Sequence, residues 1–189
     1  MPVRRRPGHQ RPPFRRRAAN NPRLERSLAR LRYANRFMEA GHFIDAANIF
    51  NDLARKAEDR SIPRAPQLYI QAGRALTLAG EIDNGMLSLN KGLQLMLDHY
   101  QLQRFQVASY RVIQDLRKQG FENQALQLEN TFAEYSKNRP TTPVKPQTQH
   151  PPLPPSCPDC GAVVRPEELE WINKNQAYCD YCGSVLERR

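Results

Sequence analysis

Four cysteines confined to the last 33 residues constrain this chain more than any other feature: Cys157-Pro158-Asp159-Cys160-Gly161 and, after an eighteen-residue interval between pairs, Cys179-Asp180-Tyr181-Cys182-Gly183. In each C-x2-C pair the two intervening residues form a tight turn that aims both sulfurs at one point, and the following glycine permits a positive φ. The C-x2-C-x18-C-x2-C spacing lies within the range of a tetrahedral metal site, so Cys157, Cys160, Cys179 and Cys182 are candidate ligands of a single ion. Zinc is the expected ion, with iron as the alternative because both accept four sulfurs. Four thiolates leave no open coordination position, which makes the ion structural rather than catalytic. Residues 156–189 are too few to bury a self-sufficient apolar core, so this segment needs a staple.

Between the two pairs, residues 162–165 read as a short strand and 170–172 as another, with a turn at 173–175 and a return along 176–178. This resembles a zinc ribbon over all 33 residues from Cys157 onward. Trp171 and Tyr178 read as residues that pack the ribbon, base stacking being their alternative use. Paired rather than scattered cysteines argue against a disulfide framework and for a reducing, cytoplasmic setting.

Ahead of that module, apolar residues recur at intervals of three and four. Leu24, Leu28, Leu31, Ala34, Phe37 and Met38 precede Gly41, and Phe43, Ala46, Ala47, Phe50, Leu53, Ala54 and Ala57 follow it, the pattern of two amphipathic helices joined by a tight turn. Tyr69, Ala72, Gly73 and Leu76 lead in the same way to Gly80 and on to Ile82, Met86, Leu89, Leu93 and Met96. Phe105, Ala108, Val112 and Leu116 lead to Gly120, then to Phe121, Ala125, Leu128 and Phe132, in a helix that ends before Pro140. The turn glycines stand 39 and 40 residues apart, each followed at the fifth position by a small residue: Ala46, Gly85 or Ala125. No hairpin can bury its stripe alone, so three stacked hairpins over residues 24–138 should share a core.

These residues resemble the tetratricopeptide repeat family. Ala34, Phe37, Gly41, Phe43, Ala46 and Phe50 follow its small, aromatic, glycine, aromatic, alanine, aromatic pattern, and Gly73, Leu76, Gly80, Ile82, Gly85 and Leu89 keep a version of it. The third unit departs, with Glu122 and Glu129 at places expected to be apolar. The expected fold is therefore mostly α: three tetratricopeptide-like units plus a small β-rich zinc ribbon. The resemblance implies a concave groove, built by the first helix of each pair, that binds a protein or peptide. By the family's spacing the groove residues are Leu31, Asn35, Met38, Ile70, Arg74, Thr77, Tyr110, Gln114 and Arg117, with burial in the core as the alternative for Leu31 and Ile70. Arg74 and Arg117 suit a partner's carboxylates, since a guanidinium forks around two oxygens.

Charge and proline mark the remaining segments. Residues 1–32 hold eleven Arg and one acid, Glu25, whereas the other 157 residues carry 18 bases and 18 acids, so the whole net charge of +10 resides at the start. Residues 1–23, with Arg4, Arg5, Arg6, Arg11, Arg15, Arg16, Arg17 and Arg23 among prolines, read as a disordered cationic tail. Such a tail suits non-specific contact with nucleic acid or another anionic surface, or serves only to solubilise. Seven prolines in residues 139–155 read as a polyproline II linker that holds the ribbon away from the helices. No apolar run approaches the roughly 20 residues of a membrane span, and no apolar segment follows the arginines as a secretory signal requires, so neither is expected.

His9, His42, His99 and His150 stand singly, without a serine elbow, phosphate loop or paired-carboxylate motif, so neither an enzyme nor a small-molecule substrate is expected. The expected function is a non-enzymatic adaptor or scaffold whose groove binds a protein or peptide, the tethered ribbon making a second contact. The alternative is a nucleic-acid-associated protein using the Arg-rich tail and the ribbon. The charge distribution separates the two. Deleting residues 1–23 removes eight Arg and no acid, lowering the net charge from +10 to +2. If the tail neutralises about five phosphates, log affinity for duplex DNA falls against log salt with a slope near about −4.5, and the deletion abolishes most of it. Filter-binding or anisotropy titrations over a salt series check this; sequence-selective binding that survives the deletion would place recognition in the ribbon instead.

Overall fold

The computed structural model describes residues 22–136, 153–166, 169–173, 175–179, 181–182 and 184–187. Arg4, Arg5, Arg6, Arg11, Arg15, Arg16, Arg17 and residues 139–152 of the linker lie outside them. Most of the described chain is helical: α1 (Pro22–Glu39), α2 (Phe43–Glu58), α3 (Ala65–Leu78), α4 (Ile82–Asp98), α5 (Leu102–Lys118), α6 (Glu122–Thr131) and the single turn α7 (Ala133–Ser136). Three short strands follow: β1 (Glu170–Asn173), β2 (Gln176–Tyr178) and β3 (Val185–Glu187), antiparallel and in that spatial order. No helix among the described residues is long and apolar enough to cross a membrane. Arg23, which its charge groups with the tail, belongs to the first turn of α1, where its carbonyl accepts the Ser27 hydroxyl at 3.1 Å.

The three hairpin turns close alike. The backbone N–H of His42 donates to the Phe37 carbonyl at 2.9 Å, that of Glu81 to Leu76 at 3.0 Å and that of Phe121 to Leu116 at 2.9 Å. A bond reaching five residues back requires a left-handed residue just before the donor, and Gly41, Gly80 and Gly120 supply it at φ of +79, +85 and +85°. The connections between hairpins use the same closure, Ile62 to Ala57 and Gln101 to Met96, both at 2.8 Å. There the left-handed residues are Ser61 (φ +52°) and Tyr100 (φ +56°), so no glycine announced them.

Helix packing explains the small residues. Ala46, Gly85 and Ala125 lie in the first turns of α2, α4 and α6, donating to the carbonyls of His42, Glu81 and Phe121 at 2.9–3.1 Å. Between α3 and α4 the backbones approach closely. A Cβ on Gly92 would lie 2.7 Å from the Pro66 carbonyl oxygen and 2.8 Å from Ile70 Cγ1; on Gly73 it would lie 2.8 Å from the Gly85 oxygen. Helical glycine costs about 1 kcal/mol relative to alanine, and here backbone proximity is what it permits. Ile70, a groove candidate, is buried at this contact and belongs to the core.

Two apolar clusters result. One, centred on Phe50, takes in α1, α2 and much of α3 and continues into the cysteine module; the other runs from Ile70 through Leu89 and Leu93 to Phe105, Leu116 and Leu128. A polar tie crosses three helices: the Tyr69 hydroxyl donates to Glu58 Oε2 at 2.6 Å, and Lys91 Nζ lies 2.8 Å from the same oxygen and 4.6 Å from the Tyr69 ring centre. The Lys91 bond, then the Tyr69 bond, hold Glu58 below the usual carboxylate range. The last helix, expected unbroken, is interrupted at Phe132, whose ring turns onto Phe105 with centres 5.3 Å apart.

Two substitutions test this packing. Gly92→Ala should destabilise by about 1–3 kcal/mol through overpacking, against the gain of about 1 kcal/mol that helix propensity alone would give. Tyr100→Gly, at an exposed left-handed position, should move the other way by up to about 1 kcal/mol. Urea titration of the helical circular dichroism reads both; a raised midpoint for Gly92→Ala would show that α4 is free to move away from α3.

Candidate metal centre

Backbone hydrogen bonds shape both knuckles before any ion is considered. In the first, Gly161 N–H donates to the Cys157 carbonyl and Cys157 N–H to Ala162, each at 2.8 Å, with Gly161 at φ +77°. In the second, β2 leads into Cys179, whose N–H donates to the Ser184 carbonyl at 2.8 Å just before β3 begins. The strand expected at 162–165 is a single bridge, Ser156 to Val163, while β3 carries no sequence signal of its own: it is three residues long and only two residues separate it from Cys182. Trp171 donates its indole N–H to the Pro166 carbonyl at 3.0 Å, and Tyr178 is exposed rather than packed.

The four sulfurs converge. All four cysteines are buried, their Sγ atoms lie within 4.8 Å of one another, and the Cys157–Cys182 and Cys160–Cys179 separations are 3.6 and 3.7 Å. Zinc–sulfur bonds of about 2.3 Å at tetrahedral angles put sulfurs about 3.8 Å apart, so the cluster has the dimensions of a four-thiolate site. Its electrostatics ask for a cation. Hydrogen bonds from Cys160, then Cys179 and Cys182, hold Cys157 far below the ordinary thiol range, while the Cys157, Cys179 and Cys182 sulfurs, with burial, push Cys160 far above it. Four thiolates cannot share this volume unless a cation neutralises them. Ser184, which the sequence reading passed over, is buried with its hydroxyl 2.9 Å from Cys182 Sγ and 3.3 Å from Cys157 Sγ.

The module does not stand apart from the helices, as the linker's composition led us to expect. Arg32 Nε donates to the Asp159 carbonyl at 2.6 Å, and Asn35 Nδ2 to the Cys160 carbonyl at 3.0 Å. Cys157, Cys160, Cys179, Cys182 and Leu186 belong to the same apolar cluster as Leu28, Leu31 and Phe50. Asn35, Met38, Glu39, Gln71 and Arg74 of α1 and α3 face Val163, Arg165 and Tyr181 across a cavity of about 140 Å³. Arg64, at the start of α3, is half-buried: desolvation lowers its pKa, and the Cys182, Cys179 and Cys160 sulfurs pull the other way. A polar residue at position 35, inside the stripe of Leu31, Ala34 and Met38, was the available sign of a buried polar partner.

The remaining groove candidates divide. Leu31 and Thr77 are buried, the Thr77 hydroxyl bonding the Arg74 carbonyl at 2.9 Å. Arg74 pairs with Asp115 at 2.8 Å, joining α3 to α5. Arg117 pairs with Glu122 at 3.1 Å and Glu129 at 3.0 Å, which accounts for both acids at places expected to be apolar. Tyr110 is exposed on α5 and Gln114 half-buried. Fold and site together define a mostly helical protein with a four-cysteine cluster placed to bind a metal. No protein-family model matches the chain, and neither a curated protein nor a solved structure matches it.

The geometry predicts one metal ion per chain by native mass spectrometry, lost in Cys160→Ser. Ser184→Ala should retain the ion but bind it roughly tenfold or more weakly, the usual effect of removing a hydrogen-bond partner from a ligand. An affinity unchanged in competition with a chromophoric chelator would make Ser184 a packing residue only.

Proposed function

We propose that the protein is a non-enzymatic adaptor, in which three tetratricopeptide-like hairpins bind a protein or peptide along their first helices and a zinc ribbon, its ion structural, supports one end of the array. The observation that carries this reading is the continuity of the α1, α3 and α5 face. Asn35, Met38, Gln71 and Arg74 share one cavity, and the Arg74–Asp115 bond ties that side to α5, which also carries exposed Tyr110 and half-buried Gln114. A mixed apolar and polar face on rigid helices is what peptide recognition uses. Zinc is favoured for the ion because it takes four thiolates tetrahedrally without redox chemistry; iron would declare itself by intense visible absorption. The nucleic-acid alternative draws on the arginines of residues 1–32.

The test is site-specific photo-crosslinking in cells. A photoreactive side chain at Tyr110 or Gln114 should capture one and the same protein, and one at Leu87, exposed on α4, should not. Capture that is equal at all three positions, or that occurs only from residues 1–23, would remove the groove assignment. Purified full-length protein should be colourless and hold one zinc ion per chain.

A further inference from the structure

The seat between the cysteine module and the helices carries an inference beyond the site itself. Two polar anchors among the described residues are not directed at side chains. Arg32 and Asn35 donate to the Asp159 and Cys160 carbonyls, 127 and 125 residues away, and both acceptors belong to the turn that carries Cys157 and Cys160 toward the ion position. These carbonyls point correctly only while that turn keeps its shape, and the shape depends on both sulfurs being held. Asn35 is 8 % exposed, so an unmade bond would leave its amide out of reach of water at a cost comparable to a lost hydrogen bond. Charge acts in the same direction: four thiolates around a divalent cation carry a formal charge of −2, and the Arg32 guanidinium is held at the first knuckle by its bond to the Asp159 carbonyl.

We propose that Arg32 and Asn35 are positioning residues of the metal centre supplied by the helices, so that metal binding and seating of the ribbon on α1 and α3 form one coupled equilibrium. Metal loading closes this face and metal loss opens it. The seated ribbon lies over Asn35, Met38, Gln71 and Arg74, the first part of the partner face, so the ribbon regulates access to it. That regulatory consequence rests on the adaptor reading; the coupling does not. Because coupling is reciprocal, whatever factor the metal contributes to seating the seat must return to metal affinity.

Two measurements on the full-length zinc protein test this without any partner. In competition with a chromophoric chelator, Arg32→Ala combined with Asn35→Asp should bind zinc about 10–100-fold more weakly, while Arg32→Lys with Asn35 retained recovers most of the loss. In hydrogen exchange on the wild type, chelation should deprotect α1 and the start of α3, and leave α5 and α6 unchanged. An affinity within twofold of wild type in a double variant with intact helical circular dichroism overturns the proposal. So does unchanged protection of α1 and α3 on metal removal, a result that decides alone if the double variant does not fold. Failure of the adaptor reading has a different signature: crosslinking from Met38 would capture no protein even after chelation had opened the face.

Discussion

A backbone hydrogen bond to the carbonyl five residues back ends five helices in succession, and the array depends on it. The chain reverses within three residues at four of these closures and within six between α2 and α3, so the next helix has nowhere to lie but against the one before. An amphipathic stripe on each helix then meets the stripe of its neighbour, and the small residues just past each hairpin reversal, Ala46, Gly85 and Ala125, are buried there. The left-handed position is glycine inside the hairpins and Ser61 or Tyr100 between them. A non-glycine residue there costs about 1–2 kcal/mol, so the hairpins are made at lower strain than the joints between them. That ordering is the one a stack of hairpins requires, since packing against a neighbour can offset a strained joint.

The cysteine module stands in a different relation to its own core. Its strands are three or four residues long and bury little, so its shape depends on the sulfur cluster from inside and on α1 and α3 from outside. The outer support is chosen with some economy. Arg32 and Asn35 bond backbone oxygens that exist in any four-residue knuckle, but only a knuckle whose sulfurs converge presents them in the right direction. An apolar contact alone would have accepted a misfolded module as readily as a folded one.

What could be read from the sequence was whatever repeats or has a fixed spacing. Period 3.6 with glycines 39 and 40 apart located the hairpins, and C-x2-C-x18-C-x2-C located the sulfurs. What could not be read depended on pairing across long separations. Ser61 and Tyr100 adopt the left-handed conformation because the flanking helices compel it, not because their side chains prefer it. Ile70 falls on the groove face by spacing, yet Gly92 opposite it draws α4 in and closes it into the core. The linker's prolines suggested separation, whereas Asn35 held the information about docking as a single polar residue in an apolar stripe, a sign too small to read without its partner.

The ion pairs change what the helical face can recognise. Arg74 is neutralised by Asp115, and Arg117 by Glu122 and Glu129, so the two cations that would have attracted an acidic partner already have carboxylates of their own. Pairs of this kind, about a quarter to over half exposed, contribute little stability, with a median of about 0–1 kcal/mol, but they remove most of the long-range field. On the adaptor reading, discrimination at this face then falls to shape and to neutral donors and acceptors such as Gln114 and the Tyr110 hydroxyl. The formal charge of +10 lies wholly within residues 1–32, ahead of and within α1. On the same reading, long-range attraction and short-range selection would fall to different parts of one chain. On the adaptor reading and the proposed coupling, a partner drawn in by charge would meet α1 first, beside the seat of the cysteine module, where occupancy of the sulfur cluster would decide whether the face is open.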